Sequence, residues 1–307
     1  MGRLASYILR GRVPAILAVA TLAILSLALP PLSWPLAWFS GGGVALVTLQ
    51  QGAREGLLNV AGATLLVGLV GSLFGLMNLA LGLALTLWLP VWIAAAAFGA
   101  SRSLALGLMV CSLLGMLAVT GFWLAVDDPV GWWQQYIREQ LLPVLEQAGM
   151  LAELPADFEP RLADAARIMT GVLAASSVFG LSLGLLIGRW WQAVALRPGA
   201  FGEEFRRLRL GRSASLLMAV LILGALLLPG AAGTFLANLV PVLGLLFLFQ
   251  GLALSHALLG RRPQDRGWLF GVYVVLVLFM PWSLLFLAGL GWLDNGLDFR
   301  ARLPAGE

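Results

Sequence analysis

Residues 56–100 read GLLNVAGATLLVGLVGSLFGLMNLALGLALTLWLPVWIAAAAFGA, and residues 213–260 form a second stretch of the same kind. Neither stretch contains a charged residue. Because the hydrocarbon layer of a bilayer is about 30 Å thick and a helix needs about 20 apolar residues to cross it, each stretch is long enough for two crossings. A helix satisfies its backbone hydrogen bonds within one segment, whereas an open sheet edge in lipid does not. The two stretches therefore predict an all-α membrane protein.

The composition of the whole chain supports the same fold class. Sixty per cent of the 307 residues are hydrophobic and 11% are charged, whereas soluble domains carry roughly 25% charged residues. We expect one integral membrane domain over residues 1–307, a polytopic transmembrane helical bundle with eight or nine spans. The nine apolar segments that can be drawn cover residues 13–30, 32–50, 56–75, 77–99, 103–125, 166–188, 213–230, 232–258 and 267–290.

The arginines predict the orientation of these segments. All nineteen basic residues are Arg, a bias typical of a GC-rich bacterial genome, and fourteen of them fall on one side of the nine-span arrangement. The positive-inside rule makes that side cytoplasmic, so we expect a bacterial inner-membrane protein with a cytoplasmic N-terminus and an outer C-terminus. The arginines expected on the outer side are Arg138, Arg161, Arg167, Arg300 and Arg302.

The two ends of the chain leave alternatives. The first apolar segment follows three arginines as a signal peptide would, but more membrane follows Pro30-Pro31 and we expect an uncleaved span. Near the other end, Pro281 interrupts the last segment, and the charges of residues 294–302 are balanced. An eight-span arrangement with the C-terminus inside therefore stays open.

The outer loop, residues 126–165, is long enough to hold structure. Trp132, Trp133 and Tyr136 recur in it at helical spacing, which predicts an amphipathic helix at the membrane surface. A second helix is expected to begin near Pro160 and to continue into the next span. The alternative is a solvated connector, because the loop also carries eight acidic residues.

The inner loop, residues 189–212, is basic and amphipathic. After the Pro198-Gly199 turn, phenylalanines and leucines alternate with charged residues. We expect this segment to lie on the inner leaflet, where anionic lipid attracts arginine. The alternative is a docking surface for a partner. The residues expected to contact lipid or a partner are Arg206, Arg207, Arg209 and Arg212.

The sequence contains few of the residue types that catalytic and metal sites use. It has one Cys, one His and no Lys, which excludes a thiolate metal cluster, a bis-His haem and a P-loop lysine. We therefore expect no enzyme, no cofactor and no metal site. The net charge of +4 does not indicate nucleic-acid binding, because the arginines lie beside apolar segments where the positive-inside rule explains them.

Small residues form a stripe in the segment 166–188. They recur at intervals of four residues, a spacing that lets a neighbouring helix approach closely. We expect this stripe to face another helix rather than lipid. Its members are Ser176, Gly180, Gly184 and Gly188.

Few polar side chains remain within the spans. Every Asp and Glu maps to a loop or a membrane boundary, which disfavours a self-energised pump, because proton and cation relays usually place a carboxylate at membrane depth. We take Gln250, Asn238 and His256 as ligand-binding candidates, with hydrogen bonds between helices as the alternative. Asn238 and His256 are about 27 Å apart on a straight helix and cannot share one small ligand. We expect Gln250 to face the bundle interior.

Several motifs resemble the YybS-like family of predicted bacterial membrane proteins. They are LRPGAFGEEF from Leu196 to Phe205, then Leu208-Arg209-Leu210-Gly211, Asn238, Gln250-Gly251-Leu252-Ala253, His256, Leu293-Asp294 and Phe299-Arg300. The resemblance implies a helical membrane protein for which no activity can be transferred. It also implies a distant likeness in fold to the membrane substrate-binding components of vitamin transporters of the energy-coupling-factor type.

These observations favour a non-enzymatic inner-membrane protein that binds a small molecule and depends on a partner for energy, as a transport-related component would. The alternative is a structural or assembly protein of the cell envelope. The expected partners are anionic lipids and a second membrane protein or another copy of this chain. The first hypothesis predicts a polar pocket of defined volume, whereas the second predicts a dry core filled with leucine.

Overall fold

The structure, a computed structural model, describes residues 2–75, 77–149, 157–259 and 266–301. Every regular element in those residues is a helix, which confirms the predicted all-α class. Arg261, Arg262 and Arg302, to which the sequence assigns sides of the membrane, lie outside the described residues. The helices are α1 (Gly2–Ile8), α2 (Arg12–Ala28), α3 (Ser33–Gln51), α4 (Ala53–Ser72), α5 (Met77–Leu83), α6 (Leu89–Ser101), α7 (Leu104–Ala125), α8 (Pro129–Gln147), α9 (Phe158–Leu196), α10 (Ala200–Arg206), α11 (Arg212–Leu227), α12 (Gly230–Leu259), α13 (Arg266–Leu278) and α14 (Trp282–Leu297).

Two short turns extend these helices. A 3-10 turn, Pro30–Leu32, precedes α3, and a π-helical turn, Ala84–Trp88, joins α5 to α6. With them, six helical segments are long and apolar enough to cross a membrane, so the chain is a multi-pass membrane protein. They are Pro30–Gln51, Ala53–Ser72, Leu81–Ser101, Leu104–Ala125, Phe158–Leu196 and Gly230–Leu259. Three shorter apolar helices, Arg12–Ala28, Arg212–Leu227 and Gly267–Leu278, lie where the sequence predicts further spans.

Helix α9 is the centre of the bundle. Its 39 residues extend over about 58 Å, which is longer than the hydrocarbon layer. It packs against α3, α7 and α12, and the largest hydrophobic cluster lies between these helices, around Val178, Leu185 and Phe247. A second cluster surrounds the fully buried Trp88 and joins α2, α3 and α4.

Helices α3 and α9 cross closely at glycines. A Cβ atom added to Gly188 would lie 2.5 Å from the Ala45 Cβ and 2.8 Å from the Gly42 carbonyl oxygen. A Cβ added to Gly184 would lie 3.5 Å from the carbonyl carbon of Gly41 on α3. Because backbone atoms approach within these distances, only glycine fits at position 188 without movement of a helix.

The remaining members of the stripe differ from one another. A Cβ at Gly180 would lie 3.1 Å from the indole nitrogen of Trp38. Ser176 is exposed, and its hydroxyl donates to the Val172 carbonyl of its own helix. The expectation that Ser176 faces another helix is therefore corrected. The two helices run parallel, with Trp38 beside Gly180 and Ala45 beside Gly188, so Ser176 is level only with the first turn of α3.

The last apolar segment is a helical hairpin rather than one span. Helix α13 ends at Leu278, and α14 begins after Pro281 and packs against α13. Asp298, which follows α14, pairs with Arg209. Arg300 donates to the carbonyl oxygens of Arg206, at 2.7 Å, and Leu208, at 2.9 Å.

These contacts correct the nine-span arrangement. Residues 206–209 were expected inside and residues 298–300 outside, but the two segments lie at the same end of the bundle. The physical reason is that Pro281 cannot continue the hydrogen bonding of α13, so the chain reverses and α14 returns. The eight-span alternative also places both segments on one side, and the number of spans stays a prediction.

Candidate functional site

Gln250 is fully buried and joins three parts of the fold. Its Oε1 accepts a hydrogen bond from the backbone N–H of Leu210, with an N···O distance of 2.9 Å. Its Nε2 donates to Oδ1 of Asn295 at 3.0 Å and to Oδ2 of Asp294 at 3.4 Å. The side chain thus ties α12 to the inner loop and to α14.

Asn238 makes a similar connection farther along α12. Its Oδ1 accepts from the backbone N–H of Gly171 at 2.7 Å. Its Nδ2 donates to the carbonyl oxygens of Arg167, at 2.7 Å, and Thr234, at 2.8 Å. The first two of these partners belong to α9, so Asn238 fastens α9 to α12.

His256 lies near the C-terminal end of α12. Its Nε2 is 3.1 Å from the hydroxyl oxygen of Tyr273 on α13. The imidazole also meets the Phe205 ring edge-on, with 5.8 Å between ring centroids. The ring therefore contacts both the inner loop region and the C-terminal hairpin.

The three candidates on α12 are not brought together by the fold. The hydrogen bonds of Gln250 and Asn238 engage both polar atoms of each amide, as helix packing would require. None of the three lines the pocket of about 370 Å³ at the inner loop or the pocket of about 20 Å³ beside Arg12. Ligand binding by these residues stays a prediction, and the candidate site is better placed elsewhere.

The inner loop packs on the protein through its apolar side. Leu208 and Leu210 are buried, and Phe201 and Phe205 pack against the largest hydrophobic cluster. The bundle therefore covers the apolar side of the segment, and the expectation that the segment lies on the inner leaflet stays a prediction. The arginines expected to contact lipid or a partner are exposed, and that contact stays a prediction: Arg206, Arg207, Arg209 and Arg212.

A pocket of about 370 Å³ opens where the inner loop faces the turn between α6 and α7. We call it the basic pocket, because five arginines and two glutamates line it. The charged lining residues are Arg102, Arg189, Arg197, Arg207, Arg209, Glu203 and Glu204. The lining therefore carries an excess of positive charge.

Three of the five arginines have an acidic partner. Nε of Arg189 is 2.7 Å from Oε2 of Glu204. Arg197 lies 3.6 Å from Glu203. Arg209 pairs with Asp298, and this pairing holds the pKa of the Asp298 carboxyl below its ordinary value.

The other two arginines, Arg102 and Arg207, have no ion pair within the described residues. Arg102 ends α6 with a φ of 53°, a left-handed conformation that is uncommon for a residue other than glycine. Such a conformation costs free energy and is found more often at functional sites.

The N-terminus of α7 adds a partial positive charge to the pocket. Ser103 precedes the helix, and its hydroxyl oxygen accepts from the Leu106 N–H at 3.3 Å. Leu104 and Ala105, the first two residues of α7, line the pocket. The N–H groups of a first helical turn lack partners within the helix and favour an anion.

A second pocket is much smaller. Its volume is about 20 Å³, and Arg12, Glu55 and Asn59 are among its lining residues. Arg12 and Glu55 form a bidentate pair there with both N···O distances at 2.6 Å. The space suits about one water molecule, so the basic pocket is the candidate site. No group of three or more metal-ligating side chains occurs among the described residues.

Sequence reasoning missed this site because it interpreted the arginines as signals of topology or, for Arg207 and Arg209, as contacts for lipid or a partner. Arg102, Arg189 and Arg197 entered the prediction as charges on the inner side. A usable signal was present, since the segment 189–212 concentrates both charges and a Pro-Gly turn. The contribution of Arg102 and of the α7 N-terminus came from a distant part of the chain.

A comparison with curated proteins found no match, and a comparison with solved structures found none either. A family profile matches residues 16–295, which is nearly the whole chain. That span includes α3 to α13 and almost every residue of the candidate site and its supports. The chain belongs to the family described as predicted membrane protein (DUF2232).

Proposed function

We propose that this chain is a non-enzymatic bacterial inner-membrane protein that binds a small molecule in the basic pocket. The observation that carries the proposal is the pocket itself, about 370 Å³ in volume and built from two segments that are distant in the chain. Ligand sites typically have volumes of about 300–1,000 Å³ and a few converging polar groups. The distant likeness of the YybS-like family to substrate-binding components of vitamin transporters also favours a binding role.

The charge distribution supports a cytoplasmic position for the pocket. Its five arginines belong to the side of the chain that is richest in Arg, and that side faces the cytoplasm under the positive-inside rule. The N-terminus is then cytoplasmic as well. The sequence lacks the P-loop lysine of a nucleotide-driven transporter, so a transport-related role would require a partner that supplies energy.

The alternative function is a structural or assembly protein of the cell envelope. Gln250 and Asn238, which are hydrogen-bonded between helices, suit that role equally. The pocket favours the binding function, because Arg102 and Arg207 line one cavity without acidic partners among the described residues, as an anion-binding site would.

Native mass spectrometry of the purified full chain tests the proposal. We expect a co-purified small molecule on the parent protein and its loss from the Ala105→Trp variant, in which the indole fills the pocket. Ala61→Trp is the matched control, because Ala61 is exposed on α4 and lines neither pocket. Thermal unfolding in detergent verifies that both variants fold.

Two results would favour the scaffold function instead. One is a parent protein that carries no small molecule after gentle extraction. The other is a bound molecule that persists in a folded Ala105→Trp variant, which would place its site outside the basic pocket.

A further inference from the structure

The geometry of the basic pocket points to a ligand that carries a phosphate group, held by Arg102, Arg207 and the N-terminus of α7. This inference rests on the proposed function, because it names the ligand class of the same pocket.

The pairing of the arginines leaves two free donors. Glu204, Glu203 and Asp298 neutralise Arg189, Arg197 and Arg209. Arg102 and Arg207 face the same cavity with no carboxylate partner among the described residues. A guanidinium presents a planar fork of N–H donors that binds phosphate or carboxylate in a bidentate manner. Two free forks at one cavity therefore select an anion.

The N-terminus of α7 adds backbone donors to the guanidinium groups. Leu104 and Ala105 line the pocket, and their N–H groups, at the first two helical positions, have no partner within the helix. The Ser103 hydroxyl already serves the Leu106 N–H. Phosphate is bound at many helix N-termini for this reason, since the helix dipole and the free N–H groups act together.

The arrangement suits phosphate better than a simple carboxylate. Arg102 and the start of α7 belong to one wall of the pocket, and Arg207 comes from the inner loop. Donors thus approach from two separate segments. A carboxylate offers two oxygens in one plane, whereas a phosphate group offers three or more oxygens around a tetrahedral centre and accepts from both walls.

The phosphate group has two potential sources. The pocket is open to the surface and the inner loop packs at the end of the bundle, so a phospholipid headgroup and a soluble phosphorylated molecule both fit this chemistry. The experiment must separate the two sources by giving each its own probe.

Thermal unfolding of the full chain in a non-ionic detergent is measured with increasing inorganic phosphate, with chloride holding the ionic strength constant. We expect phosphate to stabilise the parent protein. Each of Arg102→Gln and Arg207→Gln should weaken the apparent affinity about tenfold, because a charge-assisted hydrogen bond is lost. Arg54→Gln, which removes an arginine outside the pocket, should bind phosphate as the parent does.

Dioctanoyl phosphatidic acid is the probe for the lipid source, and dioctanoylglycerol, with the same chains and no phosphate, is its control. Stabilisation by inorganic phosphate that depends on Arg102 and Arg207 supports a soluble ligand. Stabilisation by phosphatidic acid alone, with the same dependence, supports a lipid headgroup. Either result supports the inference.

Other outcomes overturn the inference. They are the absence of any effect of both phosphate probes on the parent, an effect that the two arginine variants leave unchanged, or equal stabilisation by polyglutamate at the same ionic strength. A co-purified molecule that is lost in Ala105→Trp but is insensitive to phosphate would sustain the proposed function and reject its phosphate ligand. The failure of both experiments rejects both proposals.

Discussion

The interior of the bundle and the basic pocket use their polar groups in opposite ways. In the interior, Gln250 is fully buried, and its amide is hydrogen-bonded to Leu210 and Asn295. At the pocket, Arg102 and Arg207 are exposed and lack acidic partners among the described residues. A polar group away from water must be satisfied by the protein itself. Gln250 therefore holds helices together, whereas Arg102 and Arg207 have donors available to a ligand at the surface.

The largest effect on stability is expected in the interior of the bundle, at the crossing of α3 and α9. Gly188→Leu forces side-chain atoms against the Gly42 carbonyl oxygen and the Leu46 backbone nitrogen, 2.8 and 2.9 Å from the position of a Cβ. Because the backbone atoms can move away only if a helix shifts, we expect the free energy of unfolding to fall by about 3 kcal/mol or more. Folded yield should fall sharply as well. Size-exclusion chromatography and thermal unfolding measure both quantities.

The control for this change is Gly121→Leu. A Cβ at Gly121 meets no atom within 4 Å, so this variant should fold as the parent does. A Gly188→Leu protein with the yield and melting temperature of the parent would show that the two helices do not cross as described.

The second effect concerns the buried amide of α12. Gln250→Leu keeps a similar volume but leaves the Leu210 N–H without its acceptor and Asn295 without its donor. We expect about 2 kcal/mol of lost stability, measured by thermal unfolding, with phosphate affinity reduced less than in Arg207→Gln. The control, Gln135→Leu, changes an exposed glutamine of α8 and should leave the melting temperature nearly unchanged.

Loss of binding without loss of stability would assign a binding role to the interior. If Gln250→Leu abolished binding while its melting temperature stayed that of the parent, Gln250 would be a ligand contact and the interior would share in function.

The smallest effect is expected at the boundary of the two regions, where Arg209 pairs with Asp298. Because this partner lowers the pKa of Asp298, the stability from the pair is present above the ordinary aspartate pKa of about 3.9 and is lost as pH falls through the lower folded value. The melting temperature of Asp298→Asn should therefore lie slightly below that of the parent at pH 7. The two proteins should converge in strong acid, and a constant difference down to that pH would contradict the pairing.

The sequence predicted some elements of this fold and misplaced others for identifiable reasons. The uncharged stretches located α4 to α6 and α11 to α12 well, because apolar length is a direct requirement of the bilayer. The C-terminal hairpin was misplaced, because the charges of residues 294–302 are balanced and the positive-inside rule therefore favours neither side of the membrane. The packing of the inner loop on the bundle was not predicted, because an amphipathic pattern is the same whether lipid or protein covers the apolar side.

The sequence by itself determined that this protein is an all-α membrane protein, since two long stretches without charge and the requirement for backbone hydrogen bonds in lipid leave no other economical fold. Only the tertiary structure decided that α3 runs parallel to α9, that Arg300 is hydrogen-bonded to residues 206 and 208, and that Arg102 and Arg207 line one pocket. The physical reason is that apolar length and charge are properties of each segment alone. The choice of neighbour depends on the shapes and hydrogen bonds of two segments that are distant in the chain.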